Sequence, residues 1–576
     1  MPTTAETTAL SWSASSVAAW LLAAALCWFW GLPGRRQLQR RKPGDDRPKR
    51  VVYAFFHPYA SGGGGGERVL WKMVRFLQTC RSHRSLRCGS PGPSQEGSRG
   101  CQQNPTTAEA ATKETTTPGN DGGSCNAGGD GTSGPDDSVE IVIYTIDPPS
   151  TDEAELRADA ERRFDVRIPK KVRLVSLEDH RDCLAPRPFL SLVMESWGTM
   201  RLARWALLRT IADDESKIDN ESDTEFVFCD TTGCAFTFAV VRWMSWFSHF
   251  GNRGIPPARI LAYVHYPTIS TDMMAWEWKK GRSQGGGAVR RLKSCTRLAY
   301  YYAFSLAYGL TGSLADLVLV NSTWTHDHIR SLWAFGRAPI EIIYPPCRVP
   351  GTVGGEAEDP RAQEEPPRRD NTIVSIGQFR PEKDHGLQIE ALSVLLEAHP
   401  ELREGRGVKL LLIGSCRNEA DRGRVEALRS LVEERGLGDH VDFAINPPYA
   451  DLRASMATAS IGIHTMREEH FGIGIVEMMA AGLLTIAHDS GGPRSDIVLP
   501  LRPNGSDAAT NAATATGFLA TTAEEYASAL HAALTMGEGE ARAMRDRARR
   551  SAARFSDAAF DERLEGVLPL LYGHRC

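Results

Sequence analysis

Two glutamates eight residues apart, Glu469 and Glu477, flank a glycine turn in the last third of the chain. The turn contains Gly472 and Gly474, and good helix-forming residues follow it at 476–481. Glycine lets the backbone approach a ligand closely, and the free N–H groups at a helix start attract anions. A carboxylate beside such a site can accept hydrogen bonds from ribose or hexose hydroxyls. The alternative is that Glu477 only complements the helix dipole and that Glu469 is solvated.

Two cations, Arg380 and Lys383, follow another predicted strand at 372–377. Three residues apart, they can face one ligand, and with the helix start above they would hold a diphosphate as it departs. A solvated charge cluster is the other interpretation, because Glu382 and Asp384 alternate with them. With the two glutamates, the set favours a nucleoside-diphosphate-sugar site over an ATP site, since the sequence has no P-loop lysine and no Asp-x-Asp pair for a metal. We therefore expect no essential metal and no other cofactor.

The first half of the chain offers a histidine and a glycine run. His265 ends a predicted strand at 260–265, where it could polarise a sugar or an acceptor, although a lone histidine there is often structural. Five glycines at 62–66 lie between a strand at 51–56 and an amphipathic helix at 68–79. This placement favours a ligand-approach loop over a flexible linker. The loop matches neither a Walker loop nor a Rossmann fingerprint.

Strand and helix patterns alternate along the chain, which predicts parallel sheets covered by helices. A Gly/Glu/Pro-rich linker at 351–370 divides the pattern into two similar units. The expected fold is therefore α/β, with two doubly wound domains at 49–340 and 341–555, a C-terminal helix at 556–576 and ligands in the cleft between the domains.

Several segments outside these patterns bear on membranes and order. Residues 7–34 carry no charge and a basic cluster follows at 35–42, which favours a signal anchor at 1–34 over a cleaved signal peptide and places the body in the cytosol. Apolar helices are predicted at 234–250 and 298–315. Each is long enough to approach a membrane span, but flanking strand patterns favour buried or membrane-surface helices. Residues 85–137 read as a disordered insertion.

Composition excludes some function classes. The chain has 576 residues, 41% of them apolar, and a net charge of −4, without a nucleic-acid motif. Its twelve cysteines include no CxxC pair and suit a reducing compartment.

Together these residues resemble the retaining glycosyltransferases of the two-Rossmann GT-B type, in the family-4 group with a Glu-x7-Glu pattern. Residues 469–477 match that pattern, and residues 378–383 match the donor-phosphate loop of the group. Within it the chain is similar to the dolichol-pathway α-1,2-mannosyltransferases. This similarity covers nearly all of 50–576 apart from the insertion, with motifs at 57–71, 263–270, 321–325, 344–347 and 487–493.

The resemblance implies GDP-mannose as donor and dolichyl-diphosphate-linked Man3GlcNAc2, then Man4GlcNAc2, as acceptor. It implies retention by front-face departure and attack, in a single-pass protein on the cytosolic face of the endoplasmic reticulum membrane. Other lipid-linked-oligosaccharide mannosyltransferases are possible partners. The first domain would take the acceptor and the second the donor. An α-1,3/1,6-mannosyltransferase and an inactive membrane-anchored scaffold remain the alternatives.

The resemblance also implies residue roles. Glu469 would contact the transferred mannose, Arg380 and Lys383 the diphosphate, and His265 the sugar from the other domain. The expected donor-binding residues are Gly63, Gly64, Gly65, Phe471, Gly472, Ile473, Gly474 and Glu477, the last at the ribose.

Overall fold

A computed structural model describes residues 50–80, 139–148, 152–185, 190–213, 224–247, 255–282, 288–349, 369–404, 407–501 and 513–573. This part of the chain contains two sheets, and every strand pair in them is parallel. The anchor expected at 1–34 and the insertion at 85–137 lie outside the described residues. Within the described ranges, no helix combines the length and apolarity needed to cross a bilayer.

The first sheet has seven strands in the order β3-β2-β1-β4-β5-β6-β7. Both of its faces are buried, which explains why the strands are nearly continuous apolar runs. The strands are β1 (Arg50–Phe56), β2 (Val139–Thr145), β3 (Arg173–Ser176), β4 (Thr224–Asp230), β5 (Ala258–Val264), β6 (Leu317–Val320) and β7 (Ile340–Ile342).

Helices cover both faces of this sheet. On one face, alternate strand residues pack with α3, α4, α6 and α7 in one hydrophobic core. On the other face, the remaining strand residues pack with α1 and α2 in a second core. These helices are α1 (Gly65–Thr79), α2 (Glu153–Phe164), α3 (Ser191–Asp213), α4 (Phe236–Phe247), α5 (Thr271–Arg282), α6 (Ala288–Gly312) and α7 (Thr323–Leu332). The hydroxyl of Ser322 caps α7 by accepting the Thr325 N–H.

The second sheet has six strands in the order β10-β9-β8-β11-β12-β13. Its strands are β8 (Asp370–Ile376), β9 (Lys409–Gly414), β10 (Val441–Ile445), β11 (Ala459–Ile463), β12 (Leu484–His488) and β13 (Gly517–Ala520). The helices around it are α8 (His385–Ala398), α9 (Glu419–Glu434), α10 (Tyr449–Thr458), α11 (Ile473–Ala480), α12 (Ala523–Thr535) and α13 (Glu538–Ala552).

The last helix, α14 (Asp557–Val567), returns to the first sheet. Its buried residues Phe560 and Leu564 belong to the core that contains α1. Lys72 of α1 is 1% exposed and lies 3.3 Å from Asp561. The C-terminal helix expected at 556–576 therefore packs on the first domain, although the chain reaches it from the second.

Two elements differ from the sequence-based expectation. The helix predicted at 298–315 begins ten residues earlier, at Ala288, because its first ten residues include four basic ones, which an uncharged-run criterion excludes. The helix predicted at 234–250 is Phe236–Phe247 and is largely buried. Strands β7 and β13 have only three and four residues, too few to show a period in the sequence.

Candidate active site

The strand order of the second sheet reverses between β8 and β11. In open parallel sheets, the loops at the carboxyl ends of two such strands border the crevice in which ligands bind. The loop after β8 carries Arg380 and Lys383, and the loop after β11 carries Glu469. Thr465 joins the two loops, since its hydroxyl lies 2.9 Å from the carbonyl oxygens of both Lys383 and Asp384. The fold thus brings together charged residues that are more than eighty positions apart.

Glu469 is held by two partners. Its Oε2 lies 2.5 Å from Lys383 Nζ and 3.0 Å from His464 Nε2, and its side chain is 13% exposed. Burial by itself would raise the pKa of Glu469, but the hydrogen bond from His464 and the charge of Lys383 outweigh it and hold the pKa well below the ordinary value. The carboxylate is therefore ionised at neutral pH and is not solvated, which removes the alternative interpretation for this residue.

Two glycines support the loop that carries Glu469. Gly492 donates its N–H to the Glu469 carbonyl at 2.7 Å, and a Cβ on Gly492 would lie 2.6 Å from the Phe471 carbonyl. Gly491 has a φ of +58°, and a Cβ there would lie 2.3 Å from the Glu469 carbonyl. Any side chain at either position would displace the loop and its carboxylate.

Helix α11 starts directly after this loop with an open N-terminus. Gly472 is its N-cap, with a φ of +112° and no side-chain cap, and the first turn carries no acidic residue. Phe471 is buried in the core beneath it. Ile473 and Gly474 begin the helix, where backbone N–H groups and the helix dipole favour an anion.

Glu477 is the fifth residue of α11, beyond the turn in which an acid complements the helix dipole. Burial raises its pKa, and the nearby charges of Arg68 and Arg348 offset this rise only in part. Arg68 is fixed at this place, because it donates to the carbonyls of Phe164 and Pro346, each at 2.7 Å.

Arg380 is the more open of the two cations. Its side chain is 36% exposed and its guanidinium lies 3.6 Å from Glu382, whereas the side chain of Lys383 is 23% exposed and pairs with Glu469. Arg380 directly precedes a single 3-10 turn, Pro381–Lys383, and Lys383 ends it. The alternation of charge seen in the sequence thus gives Arg380 a weak surface pair, whereas Lys383 pairs with the more buried Glu469.

His265 directly follows β5 in the first domain, and a Cβ on Gly66 of the glycine run would lie 3.5 Å from its Nε2. Its Nε2 is buried, and among the described residues it has no hydrogen-bond partner. Burial lowers the pKa of His265 to about 4, helped by the neighbouring charge of His57, so that the imidazole is neutral at physiological pH. The backbone of His265 is fixed, since Asn321 Nδ2 donates to its carbonyl at 2.8 Å. An orphaned buried nitrogen at this place can bond a ligand hydroxyl.

The glycine run reaches across to α11. A Cβ on Gly65 would lie 2.6 Å from Ile473 Cδ1, so the loop of the first domain touches the helix start of the second. Gly63 lies beside Arg163, and Gly64 donates its N–H to Glu67 Oε2 at 2.9 Å. Glu67 already occupies the N-terminus of α1, whereas the N-terminus of α11 has no side-chain cap. Of these two helices, α11 is therefore the one whose start can accept an anion.

Further bonds hold the two domains together beside the crevice. Trp324 Nε1 donates to Glu468 Oε2 at 3.0 Å. Asp496 is 6% exposed and accepts the Thr323 N–H at 3.0 Å, the Thr323 hydroxyl at 2.6 Å and the Tyr344 hydroxyl at 2.9 Å. We call these three bonds the Asp496 clamp; the two bonds from Thr323 cross between the domains, whereas the bond from Tyr344 lies within the second domain.

Sequence reasoning missed His464 and Asp496. His464 had one usable signal, its place at the end of β11 five residues before Glu469. Asp496 had none, because its partners are more than 150 positions away. Among the described residues, no group of three or more His, Cys, Asp or Glu side chains could hold a metal ion.

Comparisons with known proteins agree with this architecture. A family described as "ALG11 mannosyltransferase N-terminus" matches residues 50–88 and 130–333, and "Glycosyl transferases group 1" matches residues 356–551. A Mus musculus protein is 36% identical over 541 residues, covering 92% of this chain and 89% of its own length. A Homo sapiens protein is 35% identical over 547 residues, covering 92% and 90%. Both are named GDP-Man:Man(3)GlcNAc(2)-PP-Dol alpha-1,2-mannosyltransferase.

A solved structure shows the fold at lower identity. The N-terminal domain of Candida albicans trehalose-6-phosphate phosphatase aligns with a TM-score of 0.52 and 10% identity, over 92% of this chain and 98% of that one. The chain has the GT-B fold, with two parallel α/β sheets, as the sequence predicts.

Proposed function

The chain belongs to the GDP-Man:Man(3)GlcNAc(2)-PP-Dol alpha-1,2-mannosyltransferase family, and on that premise we propose that it transfers mannose from GDP-mannose, in α-1,2 linkage, to dolichyl-diphosphate-linked Man3GlcNAc2. A second transfer to Man4GlcNAc2 follows in the proposal. The reaction takes place on the cytosolic face of the endoplasmic reticulum, with the chain anchored by residues 1–34. The uncharged run at 7–34 and the basic cluster behind it support this topology.

The observation that carries the proposal is the Glu469–Lys383–His464 cluster beside the uncapped start of α11. A permanently ionised carboxylate next to an anion-favouring helix start suits a ligand with both hydroxyls and phosphates. In this proposal the donor diphosphate lies at Gly472–Gly474, and Arg380 and Lys383 neutralise its charge as it departs. Lys383 then moves from Glu469 toward the phosphate.

Glu469 acts through its charge. With a pKa well below the ordinary value it holds no proton to donate at neutral pH and is a poor base, so we assign it to the mannose hydroxyls and to the positive charge that develops at the sugar. His265, as a neutral imidazole whose buried Nε2 has no hydrogen-bond partner among the described residues, bonds the sugar from the opposite side. Glu477, one turn further along α11, accepts the ribose hydroxyls.

Retention proceeds in the proposal by departure and attack on the same face of the sugar. The departing diphosphate takes the proton of the acceptor hydroxyl, a role for which Glu469 is too acidic. No essential metal is proposed, because Arg380, Lys383 and the α11 start supply the positive charge that a metal would otherwise provide.

The test is a transfer assay with the full-length protein, GDP-mannose and a lipid-linked Man3GlcNAc2 acceptor. Wild type is expected to add mannose that an α-1,2-specific mannosidase removes; resistance to that enzyme would instead support an α-1,3/1,6 transferase. Glu469→Gln should lower kcat by about a hundredfold or more, the usual loss when one transition-state electrostatic group is removed.

Glu419→Gln is the matched control, since that carboxylate is 89% exposed on the same domain. Absence of product with wild type, or equal rates for wild type and Glu469→Gln, would contradict the proposal. The first outcome would favour an inactive scaffold.

A further inference from the structure

Large apolar side chains are exposed on the outward surface of three first-domain helices. Most exposed aromatic and long aliphatic residues of the described chain lie on α3 to α6. The prominent ones are Trp197 (α3), Trp276 and Trp278 (α5), and Leu292, Tyr302 and Leu306 (α6), which are 47–68% exposed. We call this set the aromatic face. Exposed aromatic residues in such density mark an interaction surface.

The three helices form one continuous layer. The Val193 N–H of α3 donates to the Tyr300 hydroxyl of α6 at 3.3 Å. Buried Glu277 of α5 accepts from the Ser294 hydroxyl of α6 at 2.9 Å and lies 3.4 Å from Arg297. The apolar residues of neighbouring helices therefore belong to a shared surface.

The aromatic face borders the mouth of the crevice. Helix α5 begins at Thr271, six residues after His265, on the chain that leaves the carboxyl end of β5. Exposed Tyr266 lies between them, with its ring stacked 5.1 Å from that of His470, next to Glu469. A molecule that covers α5 would thus lie beside the place where a ligand enters.

Basic side chains surround the apolar ones. Arg201 and Arg204 are exposed on α3, one and two turns from Trp197, and Lys279 follows Trp278 directly. Arg291 and Lys293 flank Leu292 in the same way. Basic residues outnumber the acidic ones exposed on these helices, while Glu277 is buried and paired. The charge of the face complements an anionic partner.

We propose that the aromatic face docks on the surface of an anionic lipid bilayer and lies in its interfacial layer. Tryptophan and tyrosine prefer that layer, and Lys/Arg beside Trp and Leu is the composition of helices that lie flat in it. The contact that we propose is therefore confined to the interfacial layer. Resting on the proposed function, this docking places the crevice mouth at the membrane, where a lipid-linked acceptor is presented to His265.

Brominated lipids test the contact directly. The full-length chain is placed in liposomes of phosphatidylcholine with about one third phosphatidylserine, with and without brominated acyl chains. The fluorescence of Trp276 and Trp278 is the difference between the emission of wild type and that of the double variant Trp276→Phe/Trp278→Phe. This difference should be smaller in the brominated liposomes, because bromine quenches tryptophans that lie in the lipid. The corresponding difference between wild type and Trp333→Phe should be the same in both kinds of liposome, because Trp333 is 4% exposed and lies in the core. Equal, low quenching of both differences would overturn the proposal, independently of any enzymatic activity.

Two leucines give a matched functional test. The variant Leu292→Gln changes the aromatic face. The control variant Leu499→Gln changes a leucine of the second domain that is 53% exposed. Leu292→Gln should raise KM for an acceptor embedded in liposomes about tenfold, the factor expected from one lost buried leucine, and leave KM for a short-chain soluble acceptor unchanged. Leu499→Gln should change neither.

The same measurements distinguish a bilayer from a protein partner. Equal KM values for the two leucine variants in liposomes would refute docking. The face would instead bind a second copy of the chain if two results came together. The assembly in detergent would have a lower mass for Leu292→Gln than for wild type, and bromine would not quench Trp276 and Trp278. Failure of wild type on both acceptors would refute the proposed function and leave the quenching result to decide the docking.

Discussion

Removing the Thr323 hydroxyl should loosen the closed arrangement of the two domains. Thr323 opens α7 in the first domain, and its hydroxyl lies 2.6 Å from Asp496 Oδ1 of the second. The same carboxylate accepts the Thr323 N–H at 3.0 Å, where the helix dipole favours a negative charge. Thr323→Val deletes only the hydroxyl bond, whereas Asp496→Ala deletes the whole Asp496 clamp.

The size of the effect follows from burial and charge. Asp496 is 6% exposed, and a hydrogen bond to a charged group is worth about 1.5–3 kcal/mol. Thr323→Val should therefore shift the balance toward separated domains by roughly ten- to a hundredfold. Asp496→Ala should shift it further, by about 3–5 kcal/mol, the cost of breaking a buried charged network.

Two measurements read this balance in the full-length protein: GDP affinity by calorimetry and the radius of gyration by small-angle scattering. The dissociation constant of GDP should rise, because the proposed donor site uses Gly65 of one domain and Ile473 of the other. Thr210→Val is the control, since its hydroxyl lies 2.6 Å from the Tyr144 hydroxyl within the first domain. A folded Asp496→Ala protein with wild-type affinity and radius would refute the reasoning.

Three further predictions concern ionisable groups. Lys383→Met should raise the pKa of Glu469 toward its ordinary value, because a charge that lowers it is lost; NMR titration of 13C-labelled glutamate would show no change if the pair were unimportant. Because the pKa of His265 is about 4, protonation of His265 should cause no loss of kcat/KM between pH 8 and pH 6. An inflection of kcat/KM in that range would contradict this if the variant His265→Asn lacked it. Burial raises the pKa of Asp230 to about 6, so the folded state binds its proton more tightly than the unfolded chain does. This contribution to the free energy of unfolding should fall by about 2 kcal/mol from pH 4 to 6; urea unfolding of wild type and Asp230→Asn checks the slope, and identical slopes would count against it.

The parallel α/β architecture could be predicted because period and length are local properties. The buried strand β1 and the amphipathic helix α1 each show their pattern within fifteen residues. The short strands β7 and β13 were missed because three or four residues carry no period, and neither lies in a continuous apolar run like that of the four-residue strand β6. The return of α14 to the first domain was also missed, because the ion pair of Lys72 with Asp561 joins positions nearly five hundred residues apart.

Chemical type and local spacing were determined by the sequence alone. It identified Glu469, Glu477, Arg380 and Lys383 as candidates, and the glycine turn before α11 as the place for an anion, since a helix start is a local feature. Only the tertiary structure decided which of these groups meet. The strand order brings Lys383 and His464 to the carboxylate of Glu469, and their combined charge and burial set its ionisation. Electrostatic coupling depends on distance in space, and that distance exists only in the folded chain.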